Sequence, residues 1–176
     1  MDALSMLRED HRKVKDLFRQ FEEAHDNATK KEIAQTALKE LKVHTALEEE
    51  LFYPAVRQEI DEEEKIDEAL EEHHVAKLLI AELSRMKPSD GHFDAKFKVL
   101  AESVKHHIEE EEGQVIPEIQ GELDGDGLGE KMAERKQALE GRMSGASSGR
   151  GGSRKSPRGG RGRSGKRRTG TKMKRR

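Results

Sequence analysis

The stretches Val43–Pro54 and His107–Pro117 carry the same chemistry twice. Each sets a histidine, a glutamate four residues on and a proline six residues after that: His44, Glu48, Pro54 and His107, Glu111, Pro117. Residues four apart stand on one face of a helix, so each pair can offer an imidazole nitrogen and a carboxylate oxygen to one ion. Two such pairs on facing helices can converge on two ions. His11 and His73 extend the pattern. His11 precedes His44 by 33 residues and His73 precedes His107 by 34, so the second half of the body reads as a copy of the first.

A single histidine on an apolar stripe is most often a hydrogen-bonded core residue. Four of them at equivalent places in a repeat are poorly explained that way. An ionised carboxylate on a buried face costs several kcal/mol unless it is paired or bound to metal. Solvated acidic runs account for Glu49, Glu50, Glu109, Glu110 and Glu112, but not for Glu48 and Glu111, which share a face with core leucines. Cysteine is absent, which removes disulfides, thiolate sites and a cysteine nucleophile. A metal held by His, Asp and Glu alone favours iron, manganese or zinc.

Two registers compete in each later helix. His106 and Glu110 fit the local spacing as well as His107 and Glu111, but only the latter pair matches the distance from His44 to Pro54. His73 is chosen over His74 because Ala76, Leu79, Ile80 and Leu83 then superpose on Val14, Leu17, Phe18 and Phe21. His25, His74, His92 and His106 fall to solvent or supporting positions.

Apolar spacings of three and four predict helices over about Asp2–His25, Thr29–Gln58, Glu62–Met86 and Phe93–Ile119. Pro54 should kink or loosen the end of the second. Lys87-Pro88-Ser89-Asp90-Gly91 reads as a turn, and no segment alternates as a strand does. The expected fold is all-α, an up-down-up-down four-helix bundle over residues 1–120. A short, weaker helical piece is expected within residues 121–140.

Asp10-His11, the two His-x-x-x-Glu segments with their prolines, and Glu71-Glu72-His73 together resemble the hemerythrin-like, HHE cation-binding domains. The resemblance implies a bundle holding two non-haem iron ions. His11, His44, His73 and His107 would be terminal ligands, Glu48 and Glu111 would bridge, and an oxo, hydroxo or water bridge would complete the centre. Oxygen-carrying hemerythrins have a second histidine one turn after the third-helix ligand, where this chain has Lys77; Lys15 stands likewise to His11. The centre would then be more open, which permits exogenous ligands and chemistry. Both lysines read as rim residues, with the alternative that they address a bound anion such as peroxide.

The net charge of −2 conceals two opposite parts. Residues 141–176 hold fourteen Lys or Arg and no acid, leaving twenty basic and 36 acidic residues before them, a formal −16. A Gly/Ser/Arg/Lys tail with almost nothing apolar to bury reads as disordered, and such tails follow polyanion backbones by charge. No apolar run approaches a membrane span and no signal-peptide core opens the chain, so a cytoplasmic location is expected. The functional expectation is a di-iron protein handling dioxygen, peroxide or nitric oxide, with catalase-like peroxide removal as the enzyme hypothesis. Its alternatives are an iron- or oxygen-sensing module and iron storage, associated with nucleic acid through the tail.

Overall fold

The computed structural model describes residues 1–59 and 63–145, and every regular element among them is helical. The first helix, α1 (Ala3–Glu23), starts where the Asp2 carboxylate accepts the Ser5 N–H at 3.0 Å. Asp26 caps α2 (Asn27–Leu47) in the same way, accepting the N–H groups of Ala28 and Thr29. Both caps satisfy donors that a helix start leaves without partners. A π-helical turn, Glu48–Phe52, joins α2 to α3 (Tyr53–Glu59). The second half repeats the plan with α4 (Glu63–Leu83), α5 (Phe93–Glu110), a π-helical turn over Glu111–Val115 and α6 (Ile116–Ile119).

The π turns replace the kink expected at Pro54. Tyr53 N–H bonds back five residues to the Glu48 carbonyl, and Ile116 N–H to that of Glu111. An α-helix would drive the proline ring into the carbonyl four residues earlier. Adding one residue per turn moves that carbonyl away and advances the inward face by one position. Phe52, Tyr53 and Val56 are therefore buried, whereas Leu51, expected on the core face, is half-buried. Val115, Ile116 and Ile119 follow the same phase in the second copy.

α1 packs on α2 and α4 on α5, closing a four-helix bundle. Two apolar clusters fill it. One gathers Leu4, Leu7, Leu47, Phe52, Val56, Ile66 and Ile116; the other holds Val14, Phe18, Phe21, Leu41, Ile80, Phe97 and Leu100. Phe21 and Phe97 stack in the second with ring centroids 3.9 Å apart. Between the clusters lies a belt of buried polar residues.

The C-terminal piece differs from expectation. Gly121, at φ +104°, turns the chain after α6 in a conformation that favours glycine. α7 then runs 21 residues, Gly125–Gly145, rather than staying within 121–140. It packs on α1, α2 and the first π turn, burying Leu128 and Met132. Gly129 permits that approach, because a Cβ there would meet the Met1 carbonyl oxygen at 2.4 Å. The tail beyond residue 145 lies outside the described residues.

Candidate metal centre

All six residues singled out by spacing meet in the polar belt. His11, His44, His73, His107, Glu48 and Glu111 are each at most 5% exposed. His11 stands between Leu7 and Val14 on α1, and His73 between Ala69 and Ala76 on α4, so the helices that build the core also carry the rings inward. Glu48 and Glu111 open the two π turns, one turn after His44 and His107.

The two oxygens of Glu48 face different histidines. Oε1 lies 3.1 Å from His44 Nε2 and 3.8 Å from His11 Nε2, while Oε2 lies 3.2 Å from His73 Nε2. Glu111 Oε2 is 3.2 Å from His11 Nε2, and the Nε2 atoms of His73 and His107 are 3.1 Å apart. His11, His44 and Glu48 form one triad of potential ligand atoms; Glu48, His73 and His107 form another. Both carboxylates and the Nε2 atoms of His11 and His44 are buried without a hydrogen-bond partner. Two desolvated carboxylates beside unpaired imidazole nitrogens are costly to bury, and a bound cation would offset that cost. Glu48 belongs to both triads, and each is a donor set that could hold a metal ion.

The surroundings support the rings from behind. His11 Nδ1 is 2.8 Å from Glu112, His73 Nδ1 is 3.0 Å from Glu49, and His107 Nδ1 is 2.8 Å from Glu72. A carboxylate only accepts, so each Nδ1–H donates, which leaves Nε2 as the atom that would turn a lone pair to an ion once its own proton is lost. Glu49 and Glu112 are thus more than members of a solvated run. Their signal was present, since each directly follows the inward glutamate in both copies, and Glu72 directly precedes His73. Lys77 Nζ binds both oxygens of Glu49, and Lys15 Nζ is 3.6 Å from Glu112. The lysines pair with supporting carboxylates at the rim, the first of the two positions read for them from the sequence.

Tyr53, which spacing did not single out, puts its hydroxyl 3.5 Å from Nε2 of both His73 and His107. Burial pushes its pKa well above the ordinary phenol value, and the Glu48 and Glu111 charges add to this. Burial also disfavours charge on His11, but Glu111 and Glu48 outweigh it and push that imidazole up to about 10. His107 is likewise raised, with burial opposing and Glu72 prevailing. Burial would raise Glu48, yet His44, His11 and His73 hold it well below the ordinary carboxylate range.

His74, His25, His92 and His106 are exposed. The competing pair of His106 and Glu110 does form, at 3.5 Å, but on the outer surface with His106 63% exposed. Small cavities of about 30 and 10 Å³ touch the centre, the first beside His107 and Glu111, the second beside His44 and His73. A larger one of about 710 Å³, floored by Ala34, Leu38, Leu83 and Phe93, is lined by none of the six residues.

A model of the hemerythrin HHE cation binding domain matches residues 2–119. The chain belongs to that family. A solved hemerythrin HHE cation binding domain-containing protein of Mycobacterium kansasii superposes with a TM-score of 0.71 at 27% identity, covering 86% of this chain and 94% of its own. A protein of Nostoc sp. named a DNA nickase is 29% identical over 157 residues, which cover 86% of this chain and 44% of the nickase. An uncharacterized hemerythrin-like protein of Schizosaccharomyces pombe is 29% identical over 116 residues, covering 65% of this chain and 57% of that one. This hemerythrin-like chain spans about half the length of these curated relatives. No helix among its described residues is long and apolar enough to cross a membrane.

Proposed function

We propose that the chain holds two non-haem iron ions and removes peroxide, with His11 and His44 facing one ion and His73 and His107 the other. Glu48 and Glu111 would span both. The observation that carries this reading is the split of Glu48, whose buried oxygens face opposite histidines without a hydrogen-bond partner. A bound iron pair supplies redox chemistry toward dioxygen, peroxide or nitric oxide. The protein's own part is positional. Glu112, Glu49 and Glu72 hold three rings by Nδ1–H, and the two apolar clusters wall the belt from bulk water. Tyr53, kept protonated, presents an O–H within reach of a ligand at the His73–His107 side. The larger of the two narrow cavities, about 30 Å³ beside His107 and Glu111, is on the scale of a ligand of two heavy atoms.

Disproportionation of two peroxides to two waters and dioxygen balances without an outside reductant. Iron-loaded protein should therefore turn over peroxide repeatedly while releasing one dioxygen per two peroxides. Tyr53→Phe should slow turnover by about 10²-fold, the usual scale for a lost proton donor, and retain both irons. Metal analysis that finds no iron pair, or a loaded protein inert to peroxide, would exclude the reading. A sensing module would instead give a stable ligand adduct with no turnover.

A second reading rests on the basic tail and on the nickase relative, which aligns with 86% of this chain. It adds DNA as a partner. Conversion of supercoiled plasmid to nicked circles by loaded protein, lost in Glu48→Ala, would extend this to strand cleavage.

A further inference from the structure

The supporting carboxylates obey the two-fold repeat at three corners of the centre and break it at the fourth. His73 and His107 both have Nδ1 held, by Glu49 and Glu72. In the other half His11 Nδ1 is held by Glu112, the counterpart of Glu49. The counterpart of Glu72, which directly precedes His73, is Asp10, which directly precedes His11. Asp10 should therefore hold His44. Instead His44 Nδ1 is buried with no partner, and so is Asp10 Oδ2. The other oxygen of Asp10, a residue only 6% exposed, accepts from Lys136 Nζ. Lys77 binds Glu49 without taking it from His73, but it stands on α4 with that histidine, whereas Lys136 comes from α7, an element with no copy in the repeat that Gly129 lets lie against the start of α1.

We infer that Lys136 is a positioning residue that withholds Asp10 from His44 and makes the His11–His44 metal position the weaker of two. The inference rests on the two-metal reading above. A ligating imidazole whose far nitrogen is held has its tautomer and ring orientation set and its basicity raised; loss of such a partner costs about 10–100-fold in metal affinity. The His73–His107 position has both rings held and fills first. The His11–His44 position has one ring held, fills second and empties first. The chain thereby has a defined half-loaded state, and α7 sets the gap between the two loading steps.

The test is a titration of metal-free, full-length protein with Co(II), whose visible bands count ions and report their ligand field. The unaltered chain should load in two steps with dissociation constants about tenfold or more apart. Lys136→Met should tighten the weaker step about tenfold and draw the two together, because Asp10 is released to His44. Lys136→Arg, which keeps the charge, should restore the two-step curve. Adding Asp10→Asn to Lys136→Met should cancel its gain, whereas Asp10→Asn alone should leave the weaker step in place. Glu72→Gln should loosen the stronger step by about tenfold. The inference is overturned if the unaltered chain loads in equal steps, or if Lys136→Met leaves the weaker step unchanged or loosens it. It is overturned equally if Asp10→Asn alone loosens that step, a variant that decides the matter even should Lys136→Met fail to fold. Failure of the unaltered chain, as well as of every variant, to take up a second cobalt would reject the two-metal reading itself, a result distinct from equal steps.

Discussion

Glu48 and Glu111 are buried and none of their oxygens takes a hydrogen bond, a state that a bound cation or a protonated histidine relieves. Glu48→Ala or Glu111→Ala should accordingly abolish binding of the metal pair, while Glu109→Ala, on the exposed side of the same helix, should not alter it. Glu49→Ala should fall between, loosening metal by about 10–100-fold through His73. Metal content by elemental analysis separates the three outcomes. Protons compete for the same site. In metal-free protein His11 is raised from 6.5 to about 10 against the opposing effect of burial, so the native state binds a proton that the unfolded chain releases near 6.5. That stability is fully present below about pH 6.5 and lost as pH rises through about 10. The Tm of metal-free protein should fall over this window and that of His11→Gln should stay flatter. Metal uptake should strengthen over the same window, since the ion displaces the proton.

At the scale of elements, each π turn sets one glutamate inward and restores the apolar phase behind it. Gly113 sits in the second π turn with open space where a Cβ would stand. Gly113→Ala should stabilise the domain by about 0.5–1 kcal/mol, since alanine loses less backbone entropy on folding. Deleting Gly113 should do the opposite, by rotating Ile116 and Ile119 off the core and returning Pro117 to a clash with the carbonyl four residues back. Gly129→Ala brings its new methyl against the Met1 and Asp2 backbone and should destabilise by about 1–3 kcal/mol. Denaturant unfolding of the three variants checks the signs; a destabilised Gly113→Ala would show that the π turn needs glycine for its backbone.

Over the whole molecule the charge divides between a body at −16 and a tail with fourteen basic residues. The body should be repelled by DNA, so affinity must come from the tail. A chain that neutralises about 6–10 phosphates loses on the order of 10³–10⁵ in affinity between roughly 50 and 200 mM salt. Full-length protein should show that slope on duplexes of unrelated sequence. Truncation belongs after Gly145, because α7 continues to that residue and Met143 packs against the core. The truncated chain should lose DNA binding and keep its metal content and spectrum. Equal binding by the truncated chain would place the DNA contact on the body.

The six inward residues were legible in the sequence because helical periodicity and an internal repeat constrain them twice: a helix must put His44 above Glu48, and the copy must do the same with His107 and Glu111. Burial of all six followed from the leucines and phenylalanines that share their faces. The π turns were written there as well, in the fixed interval from each glutamate to its proline, but that interval fits a kinked α-helix equally until backbone hydrogen bonds decide. Which ring each supporting carboxylate would hold across helices was out of reach. Glu72 lies 35 residues from His107 and Glu112 lies 101 from His11, and no local period relates such positions. The pairing of Lys136 with Asp10 spans 126 residues and depends on how α7 docks, which the close approach at Gly129 sets. Periodicity determines which side of a helix a residue faces; only packing determines what stands opposite.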